Sequence, residues 1–448
     1  MNRIHGVRRR IWFPIAVVAA MAAVFLTFGP MATTSTQDRL QAMAPAAAGS
    51  GAFVASPNAT STELEIAKRY EQVRQNPDTI DAYILLGYAY LQHVRETGDP
   101  TDYGRAEAAL QEVLARQAGN DGAIVGLGVL ANARHEFAQA LELGNEAVAI
   151  SPYNSQARGV TVDALTELGR YDDALKAAQD MIDLRPDLAS YSRVAYQREL
   201  HGDIDGALDA MRTAFDASSG SPAENREYIR VLIGDLYLLK GDPTQATQIY
   251  NTSLSVVPGF MWAEAGLGRA ALATGDLKTA IVHYQKAVDI LPLPELVVAL
   301  GETQAADGDE ADANKTYALV RAEQKLFAAN GVNIDLELAL FEANHGDPKV
   351  AVDDAQRAYA TQPNVKVADA LGWALYRDGH AAEARQYSDL ALRLGSPYAT
   401  FAYHAGMIAL ATGDTTTARA DLTRALDLRG TMSALDAIDA QAALTQLP

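Results

Sequence analysis

The pairs Gly241-Asp242, Gly275-Asp276, Gly308-Asp309, Gly346-Asp347 and Gly413-Asp414 return at a nearly fixed interval, and this recurrence constrains the fold more than any other feature. Together with Gly169, Gly202 and Gly379 they give successive spacings of 33, 39, 34, 33, 38, 33 and 34 residues. A second series keeps the same period, since Pro152 to Pro186 and Pro258 to Pro292 are each 34 residues. Self-similarity at this period marks an array of helical units that bury their apolar faces only against neighbours. The length of 448 residues would otherwise suggest about three domains. An elongated array has no single core to saturate, so the repeats override that prior.

Each slot of the repeat has a mechanical role. Small residues at Gly87, Gly128, Gly234, Gly268, Gly301, Gly372 and Gly406 let the two helices of a unit approach closely. A larger side chain there overpacks the contact, at about 1–3 kcal/mol. Alanines such as Ala106, Ala174, Ala246, Ala313 and Ala418 fill the matching slot of the second helix. The mid-unit glycine stops the first helix by taking a left-handed cap, and the aspartate after it caps the second. The late proline ends the second helix, because proline cannot continue one.

With Leu267-Gly268, Ala271, Gly275, Ala280, Tyr284, Ala287 and Pro292 in one unit, the chain resembles the tetratricopeptide repeat family. A second unit has Ile233-Gly234, Tyr237, Gly241, Ala246, Tyr250 and Pro258. The resemblance covers residues 80–430 and implies an all-α, right-handed superhelical solenoid of about ten helix-turn-helix repeats. Units are expected to start near 80, 121, 155, 188, 227, 261, 294, 332, 365 and 399, with insertions around His93–Pro100, Pro222–Arg226 and Asn330. Helices over 61–79 and 431–448 are expected to cap the ends, the first through Thr62 with Glu65, the second opening at Ser433.

The amino terminus is a different kind of sequence. Residues 1–10 form a basic stub with Arg3, Arg8, Arg9 and Arg10, and residues 11–31 carry no charge. About 20 apolar residues span a bilayer, and basic residues hold their end in the cytoplasm. The expectation is one transmembrane signal anchor with the array on the extracytoplasmic side of the cytoplasmic membrane. The alternative is a cleaved signal peptide and a secreted or periplasmic protein. Residues 32–60, rich in Ala, Ser, Thr, Gly and Pro, are expected to be a flexible linker.

Chemistry is harder to find than architecture. The chain has no cysteine, which excludes disulfides, thiolate metal sites and a cysteine nucleophile. Net charge is −19, and the four arginines before residue 32 leave about −23 on the rest, which disfavours nucleic acid. His135, His201, His345 and His380 fall at the turns between paired helices, where tolerance for a polar residue explains them better than ligation. No catalytic residue, cofactor or metal is expected, and the protein is not read as an enzyme.

In tetratricopeptide arrays the concave face is lined by the first helix of each unit. The resemblance places Tyr88, Val125, Val129, Asp163, Tyr196, Val231, Asp235, Trp262 and Arg269 there. The lining continues with Glu302, Leu336, Leu340, Asp369, Trp373, Tyr376, Arg377, Tyr403 and Met407. Trp373, Tyr376 and Tyr403 form its densest aromatic cluster and are the foremost candidates for partner contact. The implied function is a membrane-tethered scaffold or adaptor that holds a protein or peptide in its groove. Two alternatives are a secreted module for a small or polymeric ligand such as a glycan, and an accessory subunit of a membrane complex. The Lys and Asn pair of a chaperone-tail clamp is missing from the corresponding slots, so that partner class is not implied.

Overall fold

The computed structural model describes residues 36–45 and 59–447. The expected stub at 1–10 and anchor at 11–31 lie outside the described residues, as does most of the expected linker. Two compact units separate at Ala42 and Met43. In the first, the one described element is the short helix α1 (Thr36–Ala42), which falls inside the stretch expected to be flexible. No described helix is long and apolar enough to cross a membrane.

The second unit is all-helical among its described residues. It opens with α2 (Ser61–Gln75) and continues as ten helix pairs. These are α3–α4 (Ile80–Thr97, Thr101–Arg116), α5–α6 (Asp121–Ala133, Phe137–Ile150), α7–α8 (Ser155–Glu167, Tyr171–Leu184) and α9–α10 (Leu188–Leu200, Ile204–Ala217). Then come α11–α12 (Ala223–Leu239, Pro243–Val256), α13–α14 (Met261–Thr274, Leu277–Ile290) and α15–α16 (Pro294–Ala306, Glu310–Ala329). The last are α17–α18 (Asp335–His345, Pro348–Thr361), α19–α20 (Val365–Arg377, Ala381–Leu392) and α21–α22 (Ala399–Ala411, Thr415–Asp427). A 3-10 turn (Arg429–Thr431) leads into α23 (Ala434–Gln446).

Local chemistry explains these boundaries. Asp242, Asp276, Asp309 and Asp414 each accept the backbone N–H three residues on, and so cap the second helices as expected. Gly346 departs from the pattern: its φ is −136°, so that first helix ends without a left-handed residue. In the second pair His135 takes the glycine's place at φ 61°. The amino-terminal capping box is formed by Thr60 and Glu63, two residues earlier than the Thr62–Glu65 spacing suggested. Thr62 instead donates to Glu96, and Glu65 pairs with Arg69. The three insertions are absorbed as helix, lengthening α3, α11 and α16 to 18, 17 and 20 residues.

Paired helices touch where the sequence placed its small residues. A Cβ on Gly234 would lie 2.4 Å from the ring of Tyr250, and one on Gly301 would lie 2.4 Å from Tyr317. The rings of the second helices therefore fill notches in the first.

Successive pairs then curve until the chain meets itself. The turn of the second pair bonds the loop before the eighth: Asn333 N–H donates to Arg134 C=O at 3.0 Å, and His135 Nδ1 lies 2.7 Å from Asn333 O. The turn of the third meets the loop before the ninth, where Asn364 Nδ2 donates to Glu167 and Val365 N–H donates to the Tyr171 hydroxyl at 2.9 Å. The turn of the fourth meets the loop before the tenth, through Ser396 Oγ and Leu200 O at 2.6 Å. These contacts join residues 194 to 199 positions apart, so six units complete one superhelical turn and adjacent turns share a seam. Gly169 is required on that seam, because its φ of 70° and a Cβ 2.5 Å from Pro363 O exclude a side chain.

Replacing Gly234 by leucine forces the Tyr250 ring out of its notch and lowers stability by about 1–3 kcal/mol in urea unfolding. A variant as stable as wild type would refute the notch. Tyr171→Phe strips the buried Val365 amide of its acceptor, which costs about 1–3 kcal/mol. Faster hydrogen exchange at Val365 is the expected readout, and unchanged exchange would mean that the seam does not form in solution.

Candidate functional site

The first helices of the ten units present the inner face, and the structure divides its expected lining into two groups. Tyr88, Tyr196, Trp262, Arg269, Tyr376 and Met407 keep part of their surface, and Arg377 is exposed. Trp373 and Tyr403 are 1% and 2% exposed, which corrects their assignment to partner contact. Val125, Val231, Glu302 and Asp369 are buried as well.

The physical reason is first-helix stacking. Trp373 Nε1 donates to Asn344 Oδ1 at 2.8 Å in the preceding unit, and the Trp373 ring stacks 4.0 Å from His404 in the following one. Of the aromatic cluster only Tyr376, stacked 5.0 Å from Trp373, retains surface. The chain's own neighbouring helices have taken the contacts a partner was expected to make.

Elsewhere the inner face is crossed by charge pairs between neighbouring units. Arg193 holds both oxygens of Asp163 at 2.8 and 2.6 Å. Asp235 accepts from Arg269 and from the Tyr250 hydroxyl, each at 2.6 Å. Burial alone would lower the pKa of Arg193 and Arg269, but the facing carboxylates outweigh it and raise both. Lys366, reaching in from the ninth unit, donates to Tyr196 at 2.7 Å. Its pKa is raised by Tyr196 first, with Glu167 and Glu199 adding to the effect.

Charges on non-adjacent first helices also act on one another. Tyr228 is held above its usual pKa by burial, then by Asp235, with Arg269 and Arg95 opposing. Burial lowers the Arg95 pKa, and Tyr228 and Arg193 are among the groups that act on it. Arg95, Arg193, Tyr228 and Arg269, on the first helices of the first, fourth, fifth and sixth units, thus lie within electrostatic reach of one another. Tyr228 is 41% exposed and meets Trp262 edge-on at 5.8 Å, making an accessible aromatic pair.

Sequence reasoning missed Arg95 and Tyr228. Both sit on or beside the insertions that lengthened α3 and α11, and unit-by-unit register gave those residues no slot. The lengthened helices were the available signal, since extra turns on a first helix extend its inner face.

A sequence model of the tetratricopeptide repeat family matches residues 99–155 and 370–433, near the two ends of the array. No curated protein matches. Among solved structures the chain is similar to an IFIT1 monomeric mutant with Gppp-AAAA, at 17% identity over 73% of this chain and 77% of that one, with a TM-score of 0.47. It is similar to Cut9–Hcn1 of the APC/C hetero-tetramer at 14% identity, over 87% and 96% of the two chains, with a TM-score of 0.37. PilF of Pseudomonas aeruginosa matches at 19% identity over 50% of this chain and 96% of that chain, with a TM-score of 0.37.

The histidines are better partnered than tolerance at a turn required. His345 Nε2 lies 2.8 Å from Glu302 and its ring stacks 4.3 Å from Tyr317. His404, 2% exposed, sets Nδ1 2.8 Å from Asp369. Among the described residues no group of three or more His, Asp or Glu is placed to hold a metal ion.

Beside this cluster α23 packs against α22 and α21, and also against α15. Its Asp436 carboxyl is pushed up to about 7, by burial first and by Glu302 second, against the pull of His404 and of Ser433. Asp439 adds to the rise. An acid raised above its unfolded value of 3.8 gives full stability below that pH and loses it as pH climbs through about 7. Asp436→Asn removes that loss, so the variant is expected to melt higher than wild type at pH 8 and equally at pH 4. A lower melting temperature at pH 8 would show the ionised carboxylate to be stabilising.

Proposed function

We propose that this chain, an array in which two stretches match the tetratricopeptide repeat family, is a non-catalytic adaptor that holds a protein or peptide against its inner face. The observation that carries the reading is an accessible aromatic pair on α11 and α13. Tyr228 and Trp262 form an edge-on aromatic pair there, with Arg95 and Arg269 acting on the same tyrosine. Aromatic and arginine side chains that are already held in place supply contact area at low ordering cost, which is the composition of binding hot spots. Tyr376, Arg377 and Met407 extend the accessible surface along the later units.

The adaptor is tethered to the cytoplasmic membrane by residues 11–31 and presents its array on the extracytoplasmic side. What supports this is the uncharged run and its four preceding arginines. Deleting residues 11–31 is expected to release the protein from the membrane fraction, and retention without them would refute the anchor.

Recovery of bound protein on the full detergent-solubilised chain tests the groove. Tyr228→Ala with Trp262→Ala is expected to reduce recovery of the specific partner at least about tenfold, as loss of a hot spot does. Recovery equal to wild type, at unchanged helical content, would place the binding surface elsewhere.

A further inference from the structure

On the inner face between α7 and α9 lies a cavity of about 120 Å³, lined by Val162, Asp163, Thr166, Glu167, Arg193, Tyr196 and Gln197. Gln197 is 1% exposed, and its Oε1 is buried without a hydrogen-bond partner. The orientation of that amide is fixed by its neighbour. The Thr166 hydroxyl donates to Val162 C=O at 2.7 Å, so toward Gln197 it can only accept, and Gln197 Nε2 donates to it at 2.6 Å. The carbonyl end of the amide is thus the unmatched one, and a buried acceptor without a donor is costly.

The other polar groups of the wall decide what kind of donor fits. Arg193 is committed to both oxygens of Asp163 and to Ala189 C=O. Lys366, beside the cavity, is committed to the Tyr196 hydroxyl. Glu167 accepts from the Asn364 amide at 3.0 Å and has acceptor capacity left, because a carboxylate offers about four lone-pair sites. Glu199, which also acts on Lys366, accepts from the Tyr398 hydroxyl and is raised in pKa by burial. Among the lining residues two carboxylates, Asp163 and Glu167, thus face one cation, Arg193, and Gln197 Oε1 with the remaining lone pairs of Glu167 is open to an incoming donor.

We infer that this cavity is a subsite for the cationic head group of a lysine or arginine side chain carried by the partner peptide. Gln197 Oε1 and Glu167 would receive its N–H donors. The inference rests on the inner-face reading above and deepens it by giving the partner a basic residue, in keeping with a net charge of −19 on the chain.

Calorimetric titration of the full chain with a capped Gly-Gly-Arg-Gly-Gly peptide, and with its neutral citrulline counterpart, tests this. Saturable binding of the arginine peptide, at least about tenfold tighter than citrulline, is expected, since hydrogen bonds to charged groups contribute about 1.5–3 kcal/mol. Gln197→Met and Glu167→Gln should each weaken it about tenfold. Equal binding of citrulline, no binding, or arginine binding indifferent to both substitutions would overturn the assignment. Putrescine binding where the peptide does not would make the ligand a free amine and overturn it also. The peptide comparison needs no variant, so misfolding cannot mask the answer. Partner recovery that is lost in the Tyr228–Trp262 variant while the arginine peptide fails to bind would sink the subsite and leave the groove standing. An arginine peptide that binds while partner recovery ignores Tyr228 and Trp262 would do the reverse.

Discussion

Insertion of a second-helix side chain into a notch on the first helix is the contact on which the rest of this array depends. Tyr250 against Gly234, Tyr284 against Gly268 and Leu422 against Gly406 repeat it with different side chains. Tyr250 also lies against Gly266 of the following unit, so one ring sets both the angle within a pair and the angle to the next. Helices packed this tightly have few alternative crossings, since interiors tolerate little change in volume. A small rotation fixed at every unit then accumulates along the chain.

That accumulation closes after six units and produces the seam. An array whose units touch only their sequence neighbours unfolds nearly one-dimensionally. Hydrogen bonds such as Val365 to Tyr171 and Ser396 to Leu200 add contacts between units six apart, which couples the first half of the array to the second. The carboxy-terminal helix α23 also reaches back to α15, the first helix of the seventh unit. Inner-face charges are placed among protein groups on several sides. Their pKa values respond to burial and to units far away in sequence, as with Tyr228 under Asp235, Arg269 and Arg95.

The inner face serves packing as well as recognition, and this explains where sequence reasoning failed. Trp373 occupies the same helical slot as Tyr88, Tyr196 and Arg269, which keep part of their surface, yet it and Tyr403 are enclosed by adjoining first helices. A slot repeated along an array specifies direction relative to its own helix. Whether the side chain ends in solvent depends on how closely the next unit and the opposite units approach. Gln197 shows the converse, because nothing in its sequence context marks a buried amide with one unmatched end.

Periodic glycines, capping aspartates and terminal prolines determined by themselves that this chain forms ten helix pairs, because capping and notch packing act within a unit and are written in its own residues. Eight of the ten unit starts expected from that pattern coincide with the observed ones, and the other two differ where insertions lengthened α11 and α16. Tertiary structure alone decided the six-unit turn, the seam and the division of the inner face into buried and accessible residues. Each of these depends on an angle summed over many units and on contacts between residues nearly 200 positions apart, for which a local pattern carries no record.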